Sequence, residues 1–364
     1  MLSEIGSDFW ENQLNTMEEA FLIEGIQSVD FGDYFISGRS AIRALCRQFN
    51  HNNKKVLLPA YTCETVVQPF EKEGWNIAYY EIRKNLSIDK KDLVEKINSF
   101  CPSLVLIQNY FGFNTTGEIT QILDICQEES IVVVEDITQN ILSKYEKIRA
   151  DYYVGSLRKF FAIPEGGILL SKGSKAPCYL KKEAVSKILK EAQRAFGLKQ
   201  KYINNEGICK EDFLEAYHIW KSNFIKYDEP QDINIETLQM LNVIDLKLLK
   251  TQRQVNYSLL CQELRNVTGV KIIVDSQDEE EVPLYFPMYI EDKSKRKELQ
   301  QYLAKEKIYC PIIWPQYVSD EYLGEGSKYI YEHILCIPCD QRYGQEEMER
   351  IIDAIKTYAR KIGD

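Results

Sequence analysis

The stretch SLVLIQNYFGFNTTGEITQILDICQEESIVVVED, residues Ser103–Asp136, decides the fold. Its two ends, SLVLIQNYF (Ser103–Phe111) and SIVVVED (Ser130–Asp136), are nearly continuous in apolar residues, the pattern of strands buried on both faces. Between them, GEITQILDICQEE (Gly117–Glu129) is amphipathic at helical spacing. Working outward, VLLPA (Val56–Ala60) repeats the strand pattern and IDKKDLVEKINSF (Ile88–Phe100) the helical one. Alternation of this kind predicts an α/β fold, a mostly parallel sheet covered by helices.

The remainder of the chain changes character. Residues from about 174 to 230 read as helical and irregular, and Asn234–Leu264 reads as one long helix. Beyond it come strand-like VKIIV and PLYFPMYI, a helix at SKRKELQQYLAKEK, strand-like IYCPIIW and a last helix over Gln345–Lys361. That tail predicts a smaller C-terminal α+β domain. The expected division is residues 1–245 for the large domain and 246–364 for the small one.

Bulk properties exclude several classes. A chain of 364 residues can bury a substantial core, and 45% hydrophobic with 27% charged residues is the balance of a globular protein. A net charge of −10 argues against nucleic acid or an anionic membrane as partner, since both require basic surface. No run approaches the roughly 18 apolar residues of a membrane span. Met1–Gln13 has neither the basic start nor the apolar core of a secretion signal, so the ten cysteines are expected to be reduced thiols in a cytoplasmic protein. His333, Cys336 and Cys339 have zinc-like spacing, but a closed site needs a fourth ligand, so no metal is expected.

The chemistry is concentrated in GSLRKFFAIPEGGILL, Gly155–Leu170. Lys159 follows Ser156 and precedes the pair Gly166–Gly167, where backbone can approach a flat ligand. Upstream, the strand IVVVED ends in Asp136, followed by Gln139. Open α/β sheets bind ligands outside the carboxyl ends of their strands. A lysine amine forms a Schiff base with an aldehyde, pyridoxal 5'-phosphate (PLP) supplies one, and a carboxylate opposite its pyridine nitrogen deepens the electron sink. The phosphate needs donors, and SGRSAIRALCRQF, from Ser37, offers a helix start with Gly38, Arg39 and Ser40.

In order and spacing these segments resemble a fold-type I PLP enzyme, and specifically the DegT-type sugar aminotransferases, over roughly residues 30 to 355. SGRSAIRAL is similar to the family's Gly-Thr/Ser-Ala helix start, VLLPAYTC to its Pro-Ala-Tyr-Thr strand end and VVVEDITQN to its Val-Glu-Asp-x-x-Gln. KFFAIPEGGILL matches its Lys-x-x-x-x-x-Glu-Gly-Gly without a gap. The resemblance implies an aspartate-aminotransferase-like large domain, with Lys159 as Schiff-base lysine and proton carrier and Asp136 facing the pyridine nitrogen. It places Gln139 beside the ring, Gly38, Arg39, Ser40 and Ala41 at the phosphate with Ser156 assisting, and Cys63 where the family often has a stacking aromatic; Tyr61 or Tyr110 is the alternative stacker. It also implies an amino-acid donor such as glutamate, an oxo-acceptor of the nucleotide-linked keto-sugar class, and a homodimer with shared sites.

The chain departs from the family at the shortened Ser156-Leu-Arg-Lys159, at Asn109-Tyr-Phe-Gly112 in place of His-x-x-Gly, and near Asn234, where no Asn-Tyr-Arg-Met-like segment is recognisable. These positions face the substrate side. The competing readings are a lyase or dehydratase on the same fold and a non-catalytic relative. A nicotinamide dehydrogenase would need a G-x-G-x-x-G after the first strand, which is missing.

Overall fold

In the computed structural model, which describes residues 4–15, 21, 23–26, 31–49, 53–171, 183–227, 229–275 and 278–363, the apolar runs become neighbouring strands. The chain begins with β1 (Ile5–Gly6), β2 (Phe31–Phe35), α1 (Gly38–Cys46), β3 (Lys55–Pro59), α2 (Glu64–Lys72) and β4 (Asn76–Tyr80). It continues through α3 (Lys90–Phe100), β5 (Leu104–Gln108), α4 (Thr120–Glu128), β6 (Val132–Asp136), β7 (Tyr152–Ser156) and β8 (Gly167–Ser171). Strands β2 to β8 form one seven-stranded sheet of order β2-β8-β7-β6-β5-β3-β4. Every pair from β4 across to β7 is parallel; β8 runs antiparallel to both of its neighbours. The mostly parallel sheet read from the sequence is present.

Residues alternate between faces along each strand. Val56, Leu58, Leu104, Leu106 and Val134 pack with Leu45 of α1 and Val67 and Phe70 of α2, while Leu57, Val105, Ile107 and Val133 join the larger core on the opposite face. Burial of each such side chain contributes roughly 1.5–3 kcal/mol, which is why these strands carry apolar residues at both parities.

Two helices, α5 (Glu183–Ile203) and α6 (Lys210–Lys226), then pack on each other through Ala192, Ala195, Phe213, Tyr217 and Trp220. The expected long helix over Asn234–Leu264 is broken into α7 (Ile235–Asn242) and α8 (Leu246–Leu264). Asp245 caps α8, its Oδ1 accepting from Leu248 N at 2.8 Å. The N-terminal segment bonds at the same break, through Asp245 N to Gln13 O and Asn15 N to Val243 O.

The C-terminal part comprises β9 (Val270–Ile272), β10 (Phe286–Ile290), α9 (Lys293–Lys305), β11 (Ile308–Tyr309), α10 (Glu325–His333), β12 (Ile334–Ile337) and α11 (Gln345–Gly363). Strands β12, β10 and β9 make an antiparallel sheet, and IYCPIIW contributes only the two residues of β11, which pair with β1. His333 Nδ1 lies 2.8 Å from Ile290 O and its ring stacks on Tyr329, while Cys336 and Cys339 are buried. No group of His, Cys, Asp and Glu among the described residues is arranged to hold a metal. All nine cysteines among the described residues are free, and no described helix is long and apolar enough to cross a membrane.

Candidate active site

Four chain segments converge at the carboxyl edge of the large sheet. Asp136 ends β6, with Gln108 of β5 directly opposite on one side and Val154 of β7 on the other. Strand β7 runs on to Ser156 and a short 3₁₀ turn, Leu157–Lys159. The chain returns as β8, whose Gly167 pairs with both Ser156 and Phe35. Two residues past Phe35, Ser37 caps α1, its hydroxyl accepting from Ser40 N at 3.1 Å. Glycine is required at this crossing. A Cβ on Gly167 would lie 2.0 Å from Ser37 O, and one on Gly38 would stand 3.3 Å from Ser156 Cβ.

The convergence encloses a cavity of about 440 Å³ lined by Ser37, Gly38, Arg39, Cys63, Gln108, Asp136, Thr138, Ser156, Arg158 and Lys159, among others. Asp136 is 3% exposed, and burial pushes its carboxyl above the ordinary range. Hydrogen bonds from Thr138 and the charge of Lys159 oppose that rise. Thr138 is the joint of the site: its N–H donates to Asp136 Oδ1 at 2.9 Å, and its hydroxyl accepts from Ser156 N at 3.1 Å. Lys159 is exposed into the cavity. Arg158 packs against α6, its guanidinium carbon 4.2 Å from the Phe224 ring centre and 4.8 Å from that of Trp220. Burial pulls its pKa down to about 10, with the charge of Asp8 opposing and that of Arg39 adding.

Of the residues expected from sequence, Gly38, Arg39, Cys63, Asp136, Ser156 and Lys159 share this cavity. Ser40 and Ala41 lie behind it, fully buried; the Ser40 hydroxyl donates to Glu229 O at 3.0 Å, and Ser37 presents the hydroxyl at the helix start instead. Gln139 is buried just outside, its Oε1 accepting from Phe111 N at 2.6 Å while its Nε2 has no partner among the described residues. Tyr61 and Tyr110 sit in the core, where both pack on Trp314, which, unlike them, lines the cavity. On α8, Arg253 borders a neighbouring cavity and donates to Gln341 Oε1 at 2.8 Å and Pro283 O at 2.9 Å, and Asn256 donates to Tyr343 O at 2.9 Å.

Sequence reasoning missed Gln108, Thr138 and two walls. Trp220, Lys221 and Phe224 of α6 form one wall, and Ser7, Asp8 and Phe9 form the other. These two walls are tied together, with Asp8 Oδ2 2.6 Å from Lys221 Nζ and Lys199 Nζ donating to Ser7 Oγ at 2.7 Å and Asp8 O at 2.6 Å. A second cavity of about 490 Å³ adjoins the first, and Ser7, Asp8, Phe9, Lys159 and Tyr285 line both. Helical periodicity in α6 marks a buried face but carries no sign of what that face meets.

Comparison with known proteins agrees with this geometry. No curated protein matches the sequence significantly. Among solved structures, the chain is similar to Helicobacter pylori PseC, an aminotransferase involved in the biosynthesis of pseudoaminic acid, with TM-score 0.70, 15% identity and coverage of 99% of this chain and 98% of that one. It is similar to the aminotransferase TlmJ from Streptoalloteichus hindustanus, with TM-score 0.67, 14% identity and coverage of 92% and 87%. NtdA from Bacillus subtilis, solved with bound cofactor PMP, gives TM-score 0.64, 15% identity and coverage of 91% and 74%. These likenesses establish the fold. The family model for DegT/DnrJ/EryC1/StrS aminotransferases, enzymes that use PLP, matches residues 30–173 and 238–356 and leaves out α5 and α6. The chain belongs to the DegT/DnrJ/EryC1/StrS aminotransferase family.

Proposed function

We propose that this cavity holds PLP and that the chain moves an amino group from an amino-acid donor such as glutamate to an oxo-substrate of the keto-sugar class. The observation that carries the reading is that Asp136, Lys159 and the capped start of α1 face one cavity. The residues fit the cofactor. A buried carboxylate matches a pyridine nitrogen, and the side-chain-free Gly38 leaves a cradle for a phosphate. PseC, with its place in pseudoaminic acid biosynthesis, supports the sugar acceptor.

PLP, when bound, supplies an aldehyde that captures amines and a ring that accepts the electron pair released at an amino acid's Cα. Around it, Asp136 would hold the ring-nitrogen proton, and Thr138 would fix the carboxylate to the strand end that leads to Lys159. The Lys159 amine would accept the proton from the donor's Cα and return it across the nitrogen, at the carbon of the cofactor's former aldehyde, so that the amino group stays with the cofactor. Ser37, Gly38, Arg39 and Ser156 would anchor the phosphate, and Cys63 and Trp314 would border the ring. The same proposal covers a large domain over residues 1–245, a small one over 246–364, and a cytoplasmic homodimer whose sites are completed across the interface.

The test is to incubate PLP-loaded protein with ¹⁵N-glutamate and a nucleotide-linked keto-sugar and to follow the label by mass spectrometry. The reading predicts ¹⁵N in an amino sugar and one 2-oxoglutarate per transfer. Release of ammonia without label in the sugar would contradict it.

A further inference from the structure

We propose that Arg39 and Arg158 form a clamp for one phosphate or carboxylate group, steadied by the α5–α6 pair that the family match leaves out. The inference rests on the reading of this cavity as the cofactor and substrate site. Both arginines line the cavity, and Arg39 is near enough for its charge to act on Arg158. Neither has a hydrogen bond or ion pair among the described residues, and Arg158 Nε is buried without a partner. The nearby carboxylates are committed or exposed. Asp8 is paired with Lys221, Glu165 accepts from Asn234 N at 2.8 Å, and Glu64 stands near Arg39 in solvent.

Two unpaired like charges in one cavity repel, and an oxyanion between them turns that repulsion into charge-assisted hydrogen bonds. The platform lies in the segment that the family match leaves out. Phe224 and Trp220 of α6 lie against the Arg158 guanidinium, and a guanidinium stacked on aromatic rings keeps its N–H groups for an acceptor in its own plane. The anion has two possible sources, the cofactor's phosphate at the Ser37–Gly38 turn or an acidic group of a substrate.

Titration of Arg39→Gln, Arg158→Gln and Arg158→Lys with PLP, and with pyridoxal, which lacks the phosphate, separates the sources. If the cofactor's phosphate is clamped, the Gln variants bind PLP roughly 10- to 100-fold more weakly and pyridoxal unchanged, with partial rescue by lysine. If a substrate is clamped, Arg158→Gln keeps the PLP affinity of wild type, while KM for glutamate, or the inhibition constant of inorganic phosphate, rises by the same factor in both Gln variants. Gln variants that are folded and bind all four probes as wild type does would overturn the clamp. Arg39→Gln carries the test if Arg158→Gln does not fold. Borohydride labelling of Lys159 by pyridoxal is run alongside: labelling retained without any anion effect sinks the clamp alone, whereas no labelling in wild type sinks the reading of the cavity.

Discussion

Replacing Gly167 with alanine puts a methyl group where the structure leaves no room. The new Cβ would stand 2.0 Å from Ser37 O, 2.2 Å from Ser37 C and 2.8 Å from Gly38 N, whereas ordinary contact begins at 3.4 Å. The Ser37–Gly38 peptide must retreat, or β8 must bow, by roughly 1.4 Å, because a close-packed interior has no slack to absorb the clash. That peptide opens α1 and lines the cavity. Overpacking of this kind costs about 1–3 kcal/mol, and hydrogen bonds to a charged group lost at the displaced turn cost about 1.5–3 kcal/mol each. PLP affinity is therefore expected to fall roughly 10- to 100-fold, with a lower urea midpoint. The assay is absorbance titration of the apo-protein. Gly197→Ala serves as control, since nothing lies within 4 Å of its Cβ. PLP binding by folded Gly167→Ala within about twofold of wild type would refute the reasoning that this glycine sets the turn.

Three further perturbations test the surroundings. Thr138→Val keeps the shape but removes the acceptor for Ser156 N–H, and at about 1–3 kcal/mol it should weaken PLP binding about tenfold or more; unchanged affinity would contradict the joint role. Burial pulls Lys199 down to about 7, with Arg342 adding, so above that pH the unfolded chain binds more protons and stability rises with pH relative to Lys199→Met. Urea midpoints of the two proteins between about pH 7 and 10 should diverge, and parallel curves would count against the buried amine. Cys63 lines the cavity, whereas Cys101 and Cys209 are exposed elsewhere, so PLP should slow alkylation of Cys63 alone in a peptide map.

The parts of the site that lie close together in sequence were legible in it. Asp136 could be read because a doubly apolar strand announces its own carboxyl end, and Lys159 because Ser156 and the two glycines flank it locally. Orientation was not legible. Ser37 and Ser40 both sit at the start of α1, and only the cap geometry turns the first toward the cavity and the second onto Glu229. The break between α7 and α8 was hidden because apolar periodicity runs through it, and it is set by Gln13 and Asn15, more than two hundred residues away in sequence. The wall made by Trp220 and Phe224 was out of reach for the same reason: amphipathicity reports that a face is covered, not by which segment.

The most direct measurement is the site of covalent capture. The protein is incubated with PLP, reduced with borohydride and mapped by peptide mass spectrometry, alongside Lys159→Ala. The account predicts a pyridoxyl group on Lys159 at near-stoichiometric yield and none in the variant. Label spread over other lysines, or none at all on a folded protein, would contradict it.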